Sequence, residues 1–278
     1  MLGNEEIMSN ALDATRGYLA AGGIRLSYLD WGGSGPPVVL LHGITSSAAT
    51  FWRVAPALRA AGFRPIALDM PGHGESDVSP AHDLDTIAGL AGEAIEHLGL
   101  RGVRLIGHSW GGATALALAT GAHPARAALT RVALVDPALT LAPEWGAARL
   151  PEFLAGVGEP AEAVRPQVRA NNPAWDEGDV YWKSIALEQC RRAQVEGFFL
   201  PQEKWSLVER VERADVPLLV LVCEPAFSVV PAPVLEELRA RLRDGRGRVE
   251  EVPGTNHNMF RGPGYAATMA TLLAWLRA

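Results

Sequence analysis

The chain carries one serine in a setting that suits a nucleophile. Residues 107–112 read Gly-His-Ser-Trp-Gly-Gly, so glycines flank Ser109 closely on both sides. An apolar run precedes this motif and the alanine-rich residues 113–122 follow it, which predicts a strand, a tight turn and a helix. Such a turn strains the serine backbone and exposes its hydroxyl, while free N–H groups of the first helical turn face the same point. The five-residue motif alone can occur by chance, but its position between a predicted strand and a predicted helix favours a nucleophilic serine.

A nucleophilic serine needs a base, and the best-placed histidine is His257. It lies between the last predicted strand, residues 247–252, and the last predicted helix, residues 265–277. Loops that follow parallel strands meet at the carboxyl edge of a sheet, where Ser109 also lies. His108 competes for the role, but it lies inside the turn and its side chain is expected to point away from Ser109.

A second loop at the same edge could stabilise negative charge on an acyl oxygen. His42-Gly43-Ile44 follows the apolar strand predicted at residues 38–41. The backbone N–H groups of Ile44 and Trp110 could form an oxyanion hole, and Gly43 permits the close approach that this requires. We expect His42 and Gly43 to contact the substrate, and His42 and His73 to shape the pocket floor.

Short apolar strands alternate with helical segments along most of the chain. This alternation predicts an α/β protein whose mostly parallel sheet is covered by helices on both faces. Strands are predicted at 24–31, 38–41, 64–69, 103–107, 131–136, 216–223 and 247–252. Helices are predicted at 51–61, 84–98, 113–122, 234–242 and 265–277.

Residues 137–215 break this rhythm. They are rich in proline and contain four tryptophans, which predicts a helical insertion over one end of the sheet. We expect Trp175, Trp182 and Trp205 to line a substrate pocket, because a thin helical layer has little interior of its own. The alternative is that these rings only form the core of the insertion.

The composition limits the partners of the protein. The 278 residues carry a net charge of −6, which does not favour nucleic acid. The arginine-rich segment 239–248 is read as the solvated face and end of a helix. Two cysteines do not indicate a disulfide framework. We expect a single large domain with an insertion, acting as a monomer or homodimer.

The sequence also lacks targeting, membrane-spanning and cofactor-binding motifs. Residues 1–10 lack the basic and apolar regions of a secretory signal, and no apolar run reaches the roughly 20 residues that span a bilayer. We therefore expect a soluble cytoplasmic protein without membrane association. The sequence contains no metal-ligand cluster and no phosphate-binding loop, so no cofactor is expected.

Four motifs together resemble the α/β-hydrolase superfamily. They are residues 39–43 (VLLHG), residues 69–76 (DMPGHGES), the turn at Ser109 and the late His257, in the superfamily's order. The resemblance covers nearly all of the chain after Gly22. It implies an eight-stranded, mostly parallel sheet, with a core of residues 22–136 and 216–278 and a helical lid of residues 137–215 between strands six and seven. A serine at the turn implies esterase-like chemistry, since haloalkane dehalogenases and epoxide hydrolases of the superfamily use aspartate there.

The chain departs from the superfamily pattern at the acid of the triad. The usual aspartate follows strand seven, but Ala226 occupies that place here. Asp136 at the end of strand six is the favoured replacement, because some superfamily members carry their acid there. Glu224 is a second candidate, and a chain without a triad acid is a third. Asp30 and Asp69 also end strands, but we interpret both as structural.

These residues predict a serine hydrolase that cleaves a carboxylic ester or lactone without a cofactor. Ser109 would form an acyl-enzyme and His257 would transfer the protons. The apolar insertion suggests a small, uncharged and partly apolar substrate. Two alternatives remain open: hydrolysis of a carbon–carbon or amide bond by the same residues, and a ligand-binding receptor with little turnover.

Overall fold

An eight-stranded sheet forms the centre of the protein. The computed structural model describes residues 12–200, 204–242, 245 and 247–278. The predictions made for residues 1–10, and for part of the arginine-rich segment 239–248, therefore lie outside the described residues. The strands of the sheet in chain order are β1 (Thr15–Ala21), β2 (Ile24–Asp30), β3 (Pro37–Leu41), β4 (Arg64–Leu68), β5 (Val103–His108), β6 (Leu129–Val135), β9 (Leu218–Val222) and β10 (Gly247–Glu251).

The sheet has the predicted architecture. Its strands stand in the order β1-β2-β4-β3-β5-β6-β9-β10. The β1–β2 and β2–β4 pairs are antiparallel, and all other pairs of this sheet are parallel. The prediction of an eight-stranded, mostly parallel sheet is confirmed.

Apolar side chains of the central strands fill both faces of the sheet. In β3, Val39 and Leu41 lie in one buried cluster, whereas Val38 and Leu40 lie in another. Successive strand residues point to opposite faces, so a continuous apolar run needs cover on both sides. The sequence of β3 is thus enough to require a layered α/β arrangement.

Helices supply this cover and follow the strands in sequence. Within the described residues they are α1 (Val54–Ala60), α2 (Leu84–His97), α3 (Trp110–Thr120), α4 (Pro143–Leu154), α5 (Ala161–Asn171), α6 (Glu177–Glu188), α7 (Arg192–Phe199), α8 (Ala232–Arg241) and α9 (Tyr265–Arg277). None of these helices is long and apolar enough to cross a bilayer.

Two local elements differ from the sequence-based expectation. Strand β1 was not predicted, and it precedes residue 22, where the predicted core begins. Only Ala21 of its seven residues is buried, so this edge strand lacks the apolar alternation that marks a strand in sequence. The helix expected at residues 51–61 is split, because a 3₁₀ turn at Ala48–Phe51 precedes α1.

Between β6 and β9 the chain forms the segment we call the helical insertion, residues 137–215. It contains α4 to α7 and a ribbon of two short strands, β7 (Thr140–Leu141) and β8 (Trp205–Ser206). Hydrogen bonds join it to loops of the core. Trp52 Nε1 donates to Asp179 (3.0 Å), and Lys183 Nζ donates to the carbonyl of Thr45 (2.6 Å). The insertion therefore contacts loops at the carboxyl edge of the sheet, where the predicted site residues lie.

Candidate active site

The turn that carries Ser109 has a strained backbone. Ser109 joins β5 to α3 with φ of 55°, in the left-handed region that residues other than glycine rarely adopt. The chain passes itself closely on both sides of the turn. A Cβ at Gly107 would lie 2.0 Å from the carbonyl oxygen of Gly111, and one at Gly111 would lie 2.2 Å from that of Leu41. The glycines are needed because any side chain would open the turn.

Three side chains from separate loops form a continuous hydrogen-bonded chain. His257 Nε2 lies 3.1 Å from Ser109 Oγ, and His257 Nδ1 lies 2.6 Å from Asp136 Oδ2. The structure thus brings together the predicted nucleophile, the predicted base and the favoured acid. These positions match the geometry in which a carboxylate fixes the histidine tautomer and the histidine removes the serine proton.

Asp136 is held firmly in place below His257. It is fully buried, and φ of 40° turns its backbone sharply after β6. Besides His257, its carboxylate accepts hydrogen bonds from Ser228 Oγ (2.5 Å) and Val229 N (3.1 Å). Burial alone would raise the pKa of Asp136. The hydrogen bond and charge of His257, followed by the hydrogen bonds from Ser228 and Val229, outweigh burial and lower this pKa. The buried carboxylate is therefore ionised when it contacts His257.

The alternative acid, Glu224, has a different partner. Its Oε1 accepts a hydrogen bond from the backbone N–H of Gly254 (2.8 Å) in the loop that precedes His257. Glu224 thus supports the loop, and Asp136 contacts the imidazole. Asp69, read as structural, is buried and binds Arg16 (2.8 Å), Ser27 and the N–H of Ala48.

The loop after β3 lies against the serine turn. A Cβ on Gly43 would be 3.2 Å from Cβ of Ser109, so glycine permits this approach. The next N–H groups already have acceptors, because Thr45 N donates to His73 Nε2 (3.1 Å) and Ser46 N to the carbonyl of Gly43 (3.1 Å). The N–H of Ile44 has no acceptor among the described residues. Trp110 is the first residue of α3, and such N–H groups have no intrahelical acceptor.

His42 and His73 support this loop as buried, neutral rings. Nε2 of His42 accepts from Met70 N (2.9 Å) and Nδ1 donates to the carbonyl of Gly43 (2.8 Å). His73 donates from Nδ1 to the carbonyl of Pro71 (2.8 Å). Burial is the main cause that lowers the pKa of each to about 3. With both nitrogens of each ring engaged, neither histidine is available as a base.

Comparisons with known proteins agree with this geometry. A family model described as the alpha/beta hydrolase fold matches residues 36–165. The solved structure of E-2-(acetamidomethylene)succinate hydrolase superposes with a TM-score of 0.82 at 22% identity, covering 95% of this chain and 100% of that one. Residues 36–165 thus match the α/β-hydrolase family, and the chain as a whole has the α/β-hydrolase fold.

Relatives within the superfamily differ in activity. A non-heme chloroperoxidase of Streptomyces lividans is 41% identical over 108 residues, 38% of this chain and 39% of the relative. An N-formylmaleamate deformylase of Pseudomonas putida is 28% identical over 225 residues, 79% of this chain and 82% of the relative. In several shorter matches, the part of the relative that aligns with this chain is only 17% to 39% of the relative's own length. The α/β-hydrolase fold therefore does not by itself define the substrate.

A narrow cleft lies beside the loops that carry Ser109 and His257. Its walls are His42, Gly43, Ser46, Thr50, Phe51, His108, Asn258, Phe260 and Arg261, and its free volume is about 10 Å³. Such a space holds about one water molecule, so side chains or the helical insertion must move before a substrate can enter.

His108 packs against the loop that carries His257. The two rings lie side by side, with centroids 4.9 Å apart. His108 Nε2 donates to the carbonyl of His257 (2.7 Å). The side chain therefore supports the loop that carries His257.

The three tryptophans expected at the pocket occupy different surroundings. Trp175 belongs to an apolar cluster inside the helical insertion, and Trp182 packs against the core of the sheet. Trp205 is half-buried against Phe198, whose ring contacts Trp110 beside the nucleophile. None of the three is among the residues that line the cleft. Their role in substrate binding stays a prediction, and Trp175 also contacts Arg261, which lines the cleft.

Two positive side chains that sequence analysis did not single out lie near the cleft. Arg261 is only 9% exposed and donates to Ser46 Oγ (2.8 Å) and Asn258 Oδ1 (3.0 Å). Lys183 reaches from α6 to the carbonyl of Thr45. Burial lowers the pKa of Arg261 to about 10, and burial followed by the charge of Arg261 lowers the pKa of Lys183 to about 7. Among the described residues, no three side chains of the usual metal-binding types form a metal site.

Proposed function

We propose that this protein is a serine hydrolase that cleaves a carboxylic ester or lactone through an acyl-enzyme on Ser109. The observation that carries the proposal is the hydrogen-bonded chain from Ser109 Oγ through His257 to Asp136, at 3.1 and 2.6 Å. The strained turn and the open N–H groups of Ile44 and Trp110 support it, because they give the acyl carbon and its oxygen a place to bind.

The proposed reaction uses each of these groups in turn. Ser109 Oγ attacks the acyl carbon while His257 Nε2 takes its proton, and Asp136 stabilises the imidazolium through Nδ1. The N–H groups of Ile44 and Trp110 hold the oxyanion. His257 then protonates the leaving alcohol as the ester bond breaks. Water, deprotonated by the same imidazole, attacks the acyl-enzyme and releases the carboxylic acid and free Ser109.

Cleavage of an amide is the second candidate, supported by one observation. One relative that matches 79% of this chain is an N-formylmaleamate deformylase. The same triad could cleave an amide if His257 protonates a leaving nitrogen instead of an alcohol oxygen. Carbon–carbon cleavage remains a weaker alternative, because no described residue specifically favours it.

The test compares the parent protein with Ser109→Ala. We expect the parent to hydrolyse p-nitrophenyl acetate and to react with a fluorophosphonate probe at Ser109. The alanine variant should fold normally, fail to label and lose nearly all turnover. Removing a triad member leaves only ~10³–10⁴-fold catalysis over water. Ser34→Ala, at an exposed serine in the turn before β3, is the matched control and should behave like the parent.

The outcome also separates the candidate functions. Parent-like turnover by Ser109→Ala would exclude this serine as the nucleophile. A parent that neither labels nor turns over acyl esters, lactones or N-formyl amides would favour the receptor alternative. Faster turnover of N-formyl amides than of matched esters would favour the amide reaction.

A further inference from the structure

Arg261 is a buried cation without a carboxylate partner. The residue is 9% exposed, and its side-chain hydrogen bonds go to neutral oxygens, Ser46 Oγ and Asn258 Oδ1. Its charge also faces the ring of Trp175, 4.9 Å from the ring centroid. Burying a cation costs free energy unless an anion compensates it. The residues in contact with Arg261 supply no such anion.

Nearby groups do not balance this charge. Within the described residues, no carboxylate lies within ion-pair distance of Arg261 or of Lys183. The carboxylate with the strongest influence on Arg261 is Asp179. Asp179 is already bound to Arg53 (2.9 Å), Trp52 and the N–H of Gly262. Arg261 therefore has no carboxylate in direct contact with it.

Arg261 and Lys183 lie next to the proposed oxyanion hole. Arg261 binds Ser46 and Lys183 binds Thr45, which are the two residues that follow Ile44. Arg261 also lines the cleft together with Gly43, which packs against Ser109. The cleft that Arg261 lines thus also reaches the loop that packs against Ser109.

We propose that Arg261, with additional positive charge from Lys183, binds a carboxylate of the substrate, so that this enzyme acts on esters or lactones that carry a free acid group. This inference rests on the proposed serine hydrolase function. It replaces the expectation of an uncharged substrate. A guanidinium suits this task because its planar donors match a carboxylate, and the neutral oxygens that it now binds can be displaced or shared.

The test uses two matched pairs of esters that differ only in charge. One pair is 4-acetoxybenzoate and its methyl ester, with the acid on the leaving group. The other is monomethyl succinate and dimethyl succinate, with the acid on the acyl group. For each variant the readout is the ratio of kcat/KM for the anionic ester to kcat/KM for the neutral ester. This ratio cancels effects that act on both esters equally.

We expect the parent to favour the anionic member of at least one pair. Arg261→Gln should lower that ratio about tenfold or more through KM, since hydrogen bonds to charged groups are worth about this much. Arg59→Gln, at an exposed arginine paired with Asp13, is the matched control and should leave the ratio unchanged. A parent without any preference for the anion, or an unchanged ratio in Arg261→Gln, would overturn the inference.

A second measurement on the parent covers the case in which Arg261→Gln does not fold. Succinate should inhibit hydrolysis of methyl 4-acetoxybenzoate competitively, whereas uncharged succinamide should not. Equal inhibition by both, or by neither, contradicts a carboxylate site. Failure of the proposed function gives a different result, namely no Ser109-dependent turnover of any of the four esters.

Discussion

Replacing Asp136 with asparagine gives the sharpest test of the triad. The substitution keeps the shape of the side chain but removes its charge. In the parent, the carboxylate accepts from His257 Nδ1 (2.6 Å), Ser228 Oγ (2.5 Å) and Val229 N (3.1 Å). With its oxygen in place of Oδ2, an asparagine keeps the bonds from His257 and Val229 but loses the charge that stabilises the imidazolium. With its oxygen in place of Oδ1, it keeps the bond from Ser228 and turns its NH₂ group toward His257.

That arrangement predicts a large loss of activity. Facing an amide donor, Nδ1 of His257 must be unprotonated, and the ring proton moves to Nε2. Nε2 then cannot accept the proton of Ser109 at 3.1 Å. Loss of charge with retention of shape at a triad acid lowers kcat about 10⁴-fold, about 5.5 kcal/mol in the barrier. KM should change little, because Asp136 is fully buried and does not line the cleft.

The assay is the steady-state hydrolysis of p-nitrophenyl acetate by Asp136→Asn and by Glu224→Gln. Glu224 contacts Gly254 and not His257, so its variant should lose activity only a few-fold. Circular dichroism and thermal unfolding check that both variants fold. Equal losses in the two variants, or a larger loss in Glu224→Gln, would refute the assignment of Asp136. If both substitutions are harmless, the site works without a carboxylate.

Two further predictions concern the helical insertion and the buried histidines. Trp205→Ala should change the preference between short and long acyl esters, whereas Trp182→Ala should mainly lower stability, by ~3–5 kcal/mol; identical chain-length profiles for the two variants would remove Trp205 from the pocket. His42 and His73 stay neutral when folded, with pKa values of about 3, but bind protons below about pH 6.5 when unfolded. These two histidines should therefore lower the free energy of unfolding by about 4 kcal/mol as the pH falls from 7.5 to 5, measured by urea titration. A free energy that does not change with pH would contradict their burial in the neutral form.

The sequence predicted the central part of the fold well because its signals there are local. Strand β3 is a continuous apolar run. Glycines mark the tight turn between β5 and α3, where the backbone passes too close for a side chain. Both signals depend on a few consecutive residues. Ser109, Asp136 and His257 each follow a predicted parallel strand. The sequence therefore placed their three loops at the same edge of the sheet.

Features that depend on tertiary packing were not predicted. Strand β1 has one buried residue in seven, so no apolar pattern marks it. The position of His108 depends on the loop of His257, which is distant in sequence. Arg261 follows the buried Met259 and Phe260, and an arginine in such a place gives no periodic signal. Only its position four residues after His257 in the sequence indicated that it lies near the site.

The sheet order explains why the acid can stand after β6. Ser109 follows β5 and His257 follows β10, and these strands are separated in the sheet by β6 and β9. To reach Ser109, the loop of His257 must cross the ends of both intervening strands. A carboxylate at either end then lies beneath the imidazole and can meet Nδ1. The N–H of Asp136 also donates to the carbonyl of Leu221 in β9 (2.7 Å), so the two strand ends are tied together. Ala226 at the usual position after β9 is therefore compatible with a complete triad, because the function of the acid depends on its place under His257 and not on the strand that supplies it.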